Sequence, residues 1–302
     1  MNDTVTPPTE RKFDGLNSAN RSLTVEGAQL RSDFRVTQDH IDTYARDGVV
    51  FLKGALSATW LNLANLALIR SLKNPGPYGQ KYFDGLPGEF RGDYCNYRSI
   101  GEYQQLLATS PIADIVKEII QTRNLWLYYD QLFVKEGGYC RRTPWHQDLP
   151  YWLCDGKQIG SMWFSLDPLS KEESLEIIPG SHLNPMFNPS NFNPDDETDP
   201  KWKNTPAPRL PNIEADRSKF NIMSWDFEPG DVLVLHPGVL HGGAATENGR
   251  RRRSLSIRFF GDDVVYSPPP EGNASPPFWG VAETHKPGDP LRHDWFPLIR
   301  SS

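Results

Sequence analysis

GDVLVLHPGVLHGGAATENGRRRRSLSIRFF, residues 230–260, carries two histidines and five arginines between two runs of strand-forming residues. The runs DVLVLH (231–236) and SLSIRFF (254–260) are rich in branched and aromatic side chains and are bounded by Gly, Asn or Asp, the composition of β-strands. Upstream, LWLYYDQLFV (125–134), IGSMWFSL (159–166) and LEIIP (175–179) have the same character. Before Asn124 the signals are helical. Thr37 opens a capped helix that Gly48 stops, a short strand (VVFL) follows, and two further helices are expected over 57–72 and from Ser110-Pro111 to Ile120. Helices first and strands afterwards predict a mainly β fold with flanking helices, a barrel or jelly roll.

The 302 residues are enough for one full core, and we expect a single domain over 31–302. Residues 1–30 are polar and aperiodic and are expected to form a mobile arm. The Pro- and Asn-rich stretch 183–225 is expected to be a lid, and the tail 267–302 to wrap the surface. A net charge of -6 argues against a nucleic-acid partner. No apolar run of membrane-spanning length occurs and the first thirty residues lack the apolar stretch of a signal peptide, so a cytoplasmic location without membrane attachment is expected. Three cysteines without Cys-x-x-Cys spacing read as reduced bystanders. Nothing in the sequence speaks to oligomeric state.

Thr143-Pro-Trp-His-Gln-Asp-Leu places His146 and Asp148 two apart, so in an extended segment both project to one face. His241 supplies a second imidazole at the end of the 230–241 run. Two imidazoles and one carboxylate leave open positions on an ion, which suits iron(II) and O2 chemistry, with zinc as the alternative. The Asn248-Gly249 turn predicts a hairpin in which His241 opposes Ser256, Gly243 opposes Ser254, and Ala245 opposes Arg252. Arg252, Ser254 and Ser256 then share the interior side with His241, while Arg251 and Arg253 face solvent. A guanidinium fork and a hydroxyl near a metal form a receptor for the far carboxylate of a chelating acid such as 2-oxoglutarate. Tyr151, Trp152, Trp202 and Arg258 are further pocket candidates, and His182 and His236 are expected to be structural.

In this order, Trp145-His-Gln-Asp148, Ile178-Pro-Gly-Ser-His182, Gly230-Asp-Val-Leu-Val-Leu-His, Leu240-His241-Gly and Arg252-Arg-Ser-Leu-Ser resemble the landmarks of the phytanoyl-CoA dioxygenase family of iron(II)/2-oxoglutarate oxygenases, over about 124–260. The resemblance implies a double-stranded β-helix, a cupin-like jelly-roll barrel. It implies His146, Asp148 and His241 as iron ligands and Arg252 as the cosubstrate's carboxylate receptor. Trp163, Gln147 and Leu132 fall where the family contacts the cosubstrate. Gly243 departs from relatives that offer a hydroxyl there, and Ser254 is the expected substitute. Because Asp148 fills the position that halogenating relatives leave for chloride, hydroxylation, desaturation or ring closure of a small organic molecule is expected. The competing readings are a non-redox metal isomerase or hydrolase and a binding protein that has lost turnover.

Overall fold

The computed structural model describes residues 34–82, 85–247, 249–272 and 274–301; the arm expected over 1–30 lies outside them. The chain begins with α1 (Gln38–Asp47), capped by Thr37 in a reciprocal box with His40 and closed by Gly48 in the left-handed conformation (φ 71°). A side chain at 48 would also collide with the His182 ring, so glycine is required twice over. β1 (Val49–Leu52), α2 (Ala58–Lys73), β2 (Gln80–Tyr82), β3 (Glu89–Tyr94), α3 (Gly101–Thr109) and α4 (Ile112–Ile119) follow. Strands then dominate: β4 (Leu125–Glu136), β5 (Thr143–His146), β6 (Cys154–Asp155), β7 (Ile159–Ser165), β8 (Leu175–Ile178), β9 (Val232–Leu235), β10 (Leu240–Gly243), β11 (Arg252–Phe260) and β12 (Val265–Tyr266). The short α5 (Val281–Thr284) and β13 (Leu298–Arg300) end the chain.

From β4 to β11 the main strands alternate between two sheets. β4, β7, β9 and β11 lie in a large sheet of order β1-β9-β7-β11-β4-β3-β2, with β13 added beside β4, while β5, β8 and β10 form a three-stranded sheet of order β5-β10-β8. This is the jelly-roll alternation expected, with the named strands pairing antiparallel throughout, although the two sheets do not join into a closed barrel among the described residues. The expected 241–256 hairpin does not form. β10 pairs with β5 and β8, and β11 pairs with β4 and β7, because the segment after Gly243 crosses from one sheet to the other.

β11 shows why the large sheet stands where it does. Arg252, Ser254, Ser256 and Arg258 line the cavity between the sheets, whereas Leu255, Ile257 and Phe259 join Leu127, Leu132, Val134, Met162 and Phe164 beneath α2, α3 and α4. Period-2 patterning thus runs polar-inward and apolar-outward, and the apolar face makes the main core. Arg253 lies on that outer face, yet it does not reach out into water. It is held by Asp167 at 2.8 Å and donates to Asn65 Oδ1 at 2.7 Å.

The tail does more than wrap. Phe278, Val281, Leu291 and Phe296 pack with Tyr128 and Trp152 in a second core, and Ser275 and Pro276 reach the cavity. All three cysteines are free and buried.

Candidate metal centre

His146 and His241 are direct cross-strand partners on β5 and β10, which brings their ring centres to 4.2 Å. His146 Nδ1 lies 2.8 Å from the Pro144 carbonyl and His241 Nδ1 lies 3.0 Å from that of Val239. A carbonyl can only accept, so both Nδ1 atoms carry the proton and both Nε2 atoms are left with a free lone pair. Asp148 arrives differently from the shared-strand-face expectation. β5 ends at His146, and Asp148 takes helical angles (φ -72°, ψ -41°) at the head of a 3-10 turn, its N–H donating to Pro237 O at 2.8 Å. The bend returns the carboxylate to 3.4 Å from His146 Nε2. One ligand atom from each of His146, Asp148 and His241 lies within 4.8 Å of the others, a spacing that fits one ion.

Arg258, a low-ranked candidate on sequence grounds, completes this group. It is buried and donates from Nε and Nη2 to Asp148 Oδ2, both at 3.3 Å, while stacking 4.4 Å from the Tyr129 ring centre. Burial raises the Asp148 pKa, but the charge of Arg258 leads the effects that outweigh it and hold the carboxyl well below its ordinary range. Burial, helped by the charge of His146, lowers His241 to about 4. A neutral imidazole beside an ionised carboxylate is the protonation state that metal binding needs.

The cavity holds about 350 Å³, and along β11 its wall runs from Arg252 at the inner end to Arg258, beside Asp148, at the outer. At its inner end lie Arg252, Ser254, Thr143, Trp163 and Leu175. Arg252 is fully enclosed, and Nη1 donates only to carbonyls, Glu173 O at 2.8 Å and Ala244 O at 3.3 Å; its Nε has no partner. No carboxylate reaches it among the described residues, since Glu173 is taken up by Arg250. Burial lowers Arg252 to about 10 against the pull of Cys140 and Glu173. Lys135 lies across the strand, bonded to Arg141 O at 2.6 Å, and burial together with the charge of Arg252 pushes its pKa well down. An enclosed guanidinium without an acid is costly unless an anion joins it.

Trp163 and Ser254 line the cavity where the sequence puts them; Leu132 and Gln147 do not. On β4 the cavity is met by Tyr129, Gln131 and Phe133, so Leu132 has the opposite parity and is buried in the helix-side core. Gln147 turns away too. Its side chain donates to Gly238 O at 2.7 Å and accepts from Phe187 N at 2.9 Å, tying the metal-bearing turn to the 183–225 stretch. Trp202 is buried outside the cavity, whereas its neighbour Lys201 lines it. Sequence reasoning missed Thr143. It is the strand partner of Gly243, and a Cβ at 243 would lie 3.3 Å from both its Oγ1 and Arg252 Nη2, so Thr143 puts a hydroxyl where the glycine leaves space. The β11–β4 register could have revealed Tyr129, Gln131 and Phe133, because they oppose Arg258, Ser256 and Ser254.

Comparison with known proteins agrees with this layout. The family model described as phytanoyl-CoA dioxygenase matches residues 44–254. A probable phytanoyl-CoA dioxygenase of Caenorhabditis elegans is 24% identical over 179 residues, covering 57% of this chain and 51% of the relative. The chain therefore spans about half the length of that curated relative, and 35% of the peroxisomal human one, to which it is 25% identical over 130 residues. Among solved structures, the non-heme alpha ketoglutarate dependent epimerase SnoN from nogalamycin biosynthesis superposes with a TM-score of 0.67 at 19% identity, covering 87% of this chain and 98% of its own. EctD from S. alaskensis, solved with 2-oxoglutarate and 5-hydroxyectoine, gives 0.61 at 18% identity, covering 91% and 90%. At such identities these two likenesses are of fold. No helix among the described residues is long and apolar enough to cross a membrane.

Proposed function

The chain belongs to the phytanoyl-CoA dioxygenase family, and from that premise we propose that it is an iron(II)- and 2-oxoglutarate-dependent oxygenase that hydroxylates a small organic molecule, or desaturates or cyclises it. The observation that carries the reading is the enclosed Arg252 guanidinium, without an acid partner, in the same cavity as His146, Asp148 and His241. A non-redox isomerase or hydrolase would use the three ligands and leave that guanidinium unexplained.

In this reading His146 Nε2, His241 Nε2 and an Asp148 oxygen hold the iron, with the Pro144 and Val239 carbonyls fixing both rings and Arg258 fixing the carboxylate. Arg252 receives the distal carboxylate of 2-oxoglutarate, with the Ser254 and Thr143 hydroxyls beside it and Trp163 as a flat wall. When bound, iron(II) with 2-oxoglutarate and O2 supplies the oxidising power that breaks a substrate C–H bond, releasing succinate and CO2. The chain excludes water and aims that bond at the metal. On this reading 31–302 acts as one catalytic domain and part of the 183–225 stretch serves as a lid, which is supported by the place of Ser190, Asn191, Phe192 and Lys201 on the cavity wall.

The test is a screen of small organic substrates with protein reconstituted anaerobically with iron(II), then exposed to air while 2-oxoglutarate consumption and succinate are followed. Asp148→Ala should lose more activity than the roughly 10–100-fold typical of removing an outer partner of a metal ligand. Succinate release at the parent rate in that variant would overturn the assignment.

A further inference from the structure

The outer half of the cavity is walled by Tyr94, Tyr129, Trp152 and Phe192, and it contains a cation with no assigned role. Lys201 is half-buried there, its Nζ 5.1 Å from the Trp202 ring centre and 5.9 Å from that of Tyr151. Burial lowers its pKa, and the one charged group that opposes this is Glu271, whose Oε1 already accepts from Lys203 N at 2.8 Å. Among the described residues, the only carboxylate on the cavity wall is Asp148, which Arg258 and His146 engage. The outer half thus has an excess of positive charge, aromatic walls and no free acid.

Lys201 is also held in place rather than draped on the surface. Its N–H donates to Pro189 O at 2.7 Å, and Tyr151 OH donates to Ser190 O at 2.6 Å. Below it, Asn188 Nδ2 donates to Trp202 O at 2.8 Å and Trp202 N returns a bond to Asn188 Oδ1 at 3.0 Å. An ammonium on a fixed stretch of backbone, partly stripped of water and with no carboxylate within ion-pair distance among the described residues, favours an incoming anion.

We propose that the outer half selects substrates with an oxyanion, a carboxylate or a phosphate, on a flat apolar body, and that Lys201 recognises that anion. The proposal rests on the oxygenase reading, which assigns the inner half to iron and 2-oxoglutarate and leaves the outer half for substrate. Positive charge at this end complements an anion, and the rings of Tyr94, Tyr129, Trp152 and Phe192 accept a flat body by stacking or edge contact.

The test uses protein loaded with iron(II) and saturated with 2-oxoglutarate, without O2, so that Arg252 is occupied. Naphthalene-2-carboxylate, 2-naphthyl phosphate and the neutral 2-naphthamide are titrated by calorimetry. At least one anion should bind about tenfold or more tightly than the amide, consistent with a charge-assisted contact, and which one wins distinguishes the two oxyanions. Lys201→Met should bring both anions to within about threefold of the amide, and Lys201→Arg should restore the preference. Three results would each overturn the proposal: an amide that binds as tightly as both anions, a preference that survives Lys201→Met, or no binding of any probe at millimolar concentration. 2-Oxoglutarate is titrated first. Its failure to bind the parent protein would sink the oxygenase reading, whereas a parent that binds it and ignores probe charge would sink only the Lys201 proposal.

Discussion

Arg252 and Arg253 are consecutive on β11 and belong to two different regions. Arg253, on the helix side, meets Asp167 and Asn65 and has its charge matched within the fold. Arg252, on the cavity side, is more deeply enclosed and meets only carbonyls. The same side chain is therefore structural on one face and, on the function proposed, receives a ligand on the other, and what separates the two is the presence of a carboxylate rather than the depth of burial.

The sharpest way to break this contrast is Arg252→Met. Losing the partner of a buried carboxylate costs about 2–5 kcal/mol, so 2-oxoglutarate should bind roughly 30-fold to several-thousand-fold more weakly by calorimetry. In the same variant, thermal stability without cosubstrate should stay level or rise, because a guanidinium with no acid is removed from the interior. Unchanged cosubstrate affinity would erase the distinction between the faces. Arg258→Met comes next. It leaves Asp148 without its guanidinium, and iron(II) affinity should fall about 10–100-fold in a metal titration, as for other partners that orient a ligand.

Arg253→Met should do the reverse of Arg252→Met. Urea unfolding should show a loss of about 1–3 kcal/mol, reduced by the partial exposure of the pair, with 2-oxoglutarate affinity within about twofold of the parent. The smallest effect lies outside both faces, at His236, which packs 5.2 Å from His182 and is lowered to about 4 by burial and then by His182. An unfolded histidine titrates near 6.5, so between about 6.5 and 4 the unfolded state binds the extra proton and stability falls as pH falls. His236→Gln should flatten the melting temperature against pH in that window, by an amount equivalent to about 2 kcal/mol by pH 5. An unaltered profile would mean that burial does not depress this imidazole.

The sequence made the chemistry at the inner end legible because iron and a dicarboxylate restrict which residue types can serve. The structure brings His146, Asp148 and His241 together and puts Arg252 and Ser254 on the wall of the same cavity. Their geometric rationale was less secure. The proposed hairpin would have put Arg252 on the right side through a pairing that does not exist, and Asp148 reaches the cluster through a bend rather than a strand face. Leu132 and Gln147 failed because a family position fixes a neighbourhood, while parity on β4 and the turn after β5 decides which way a side chain points. α3 carries Tyr103, Leu106 and Leu107 at helical spacing but is brief, and the short strands β2, β6, β12 and β13 leave no periodic trace, being defined by their partners. Lys201 was invisible because it stands in a stretch with no regular period, and only the folded course of that stretch brings it to the cavity.

The mutual clasp between Asn188 and Trp202 has a practical corollary. A loop tied at its own base behaves as a cassette whose flanks keep their course, provided that an insert keeps the outside anchors at Ser190 O, which Tyr151 reaches, and Glu197, which Arg141 and Arg142 hold. On the oxygenase reading, transplanting a different 189–201 insert that keeps those anchors between an intact asparagine and tryptophan is thus the shortest route to new compounds, because none of the three candidate ligands lies within it.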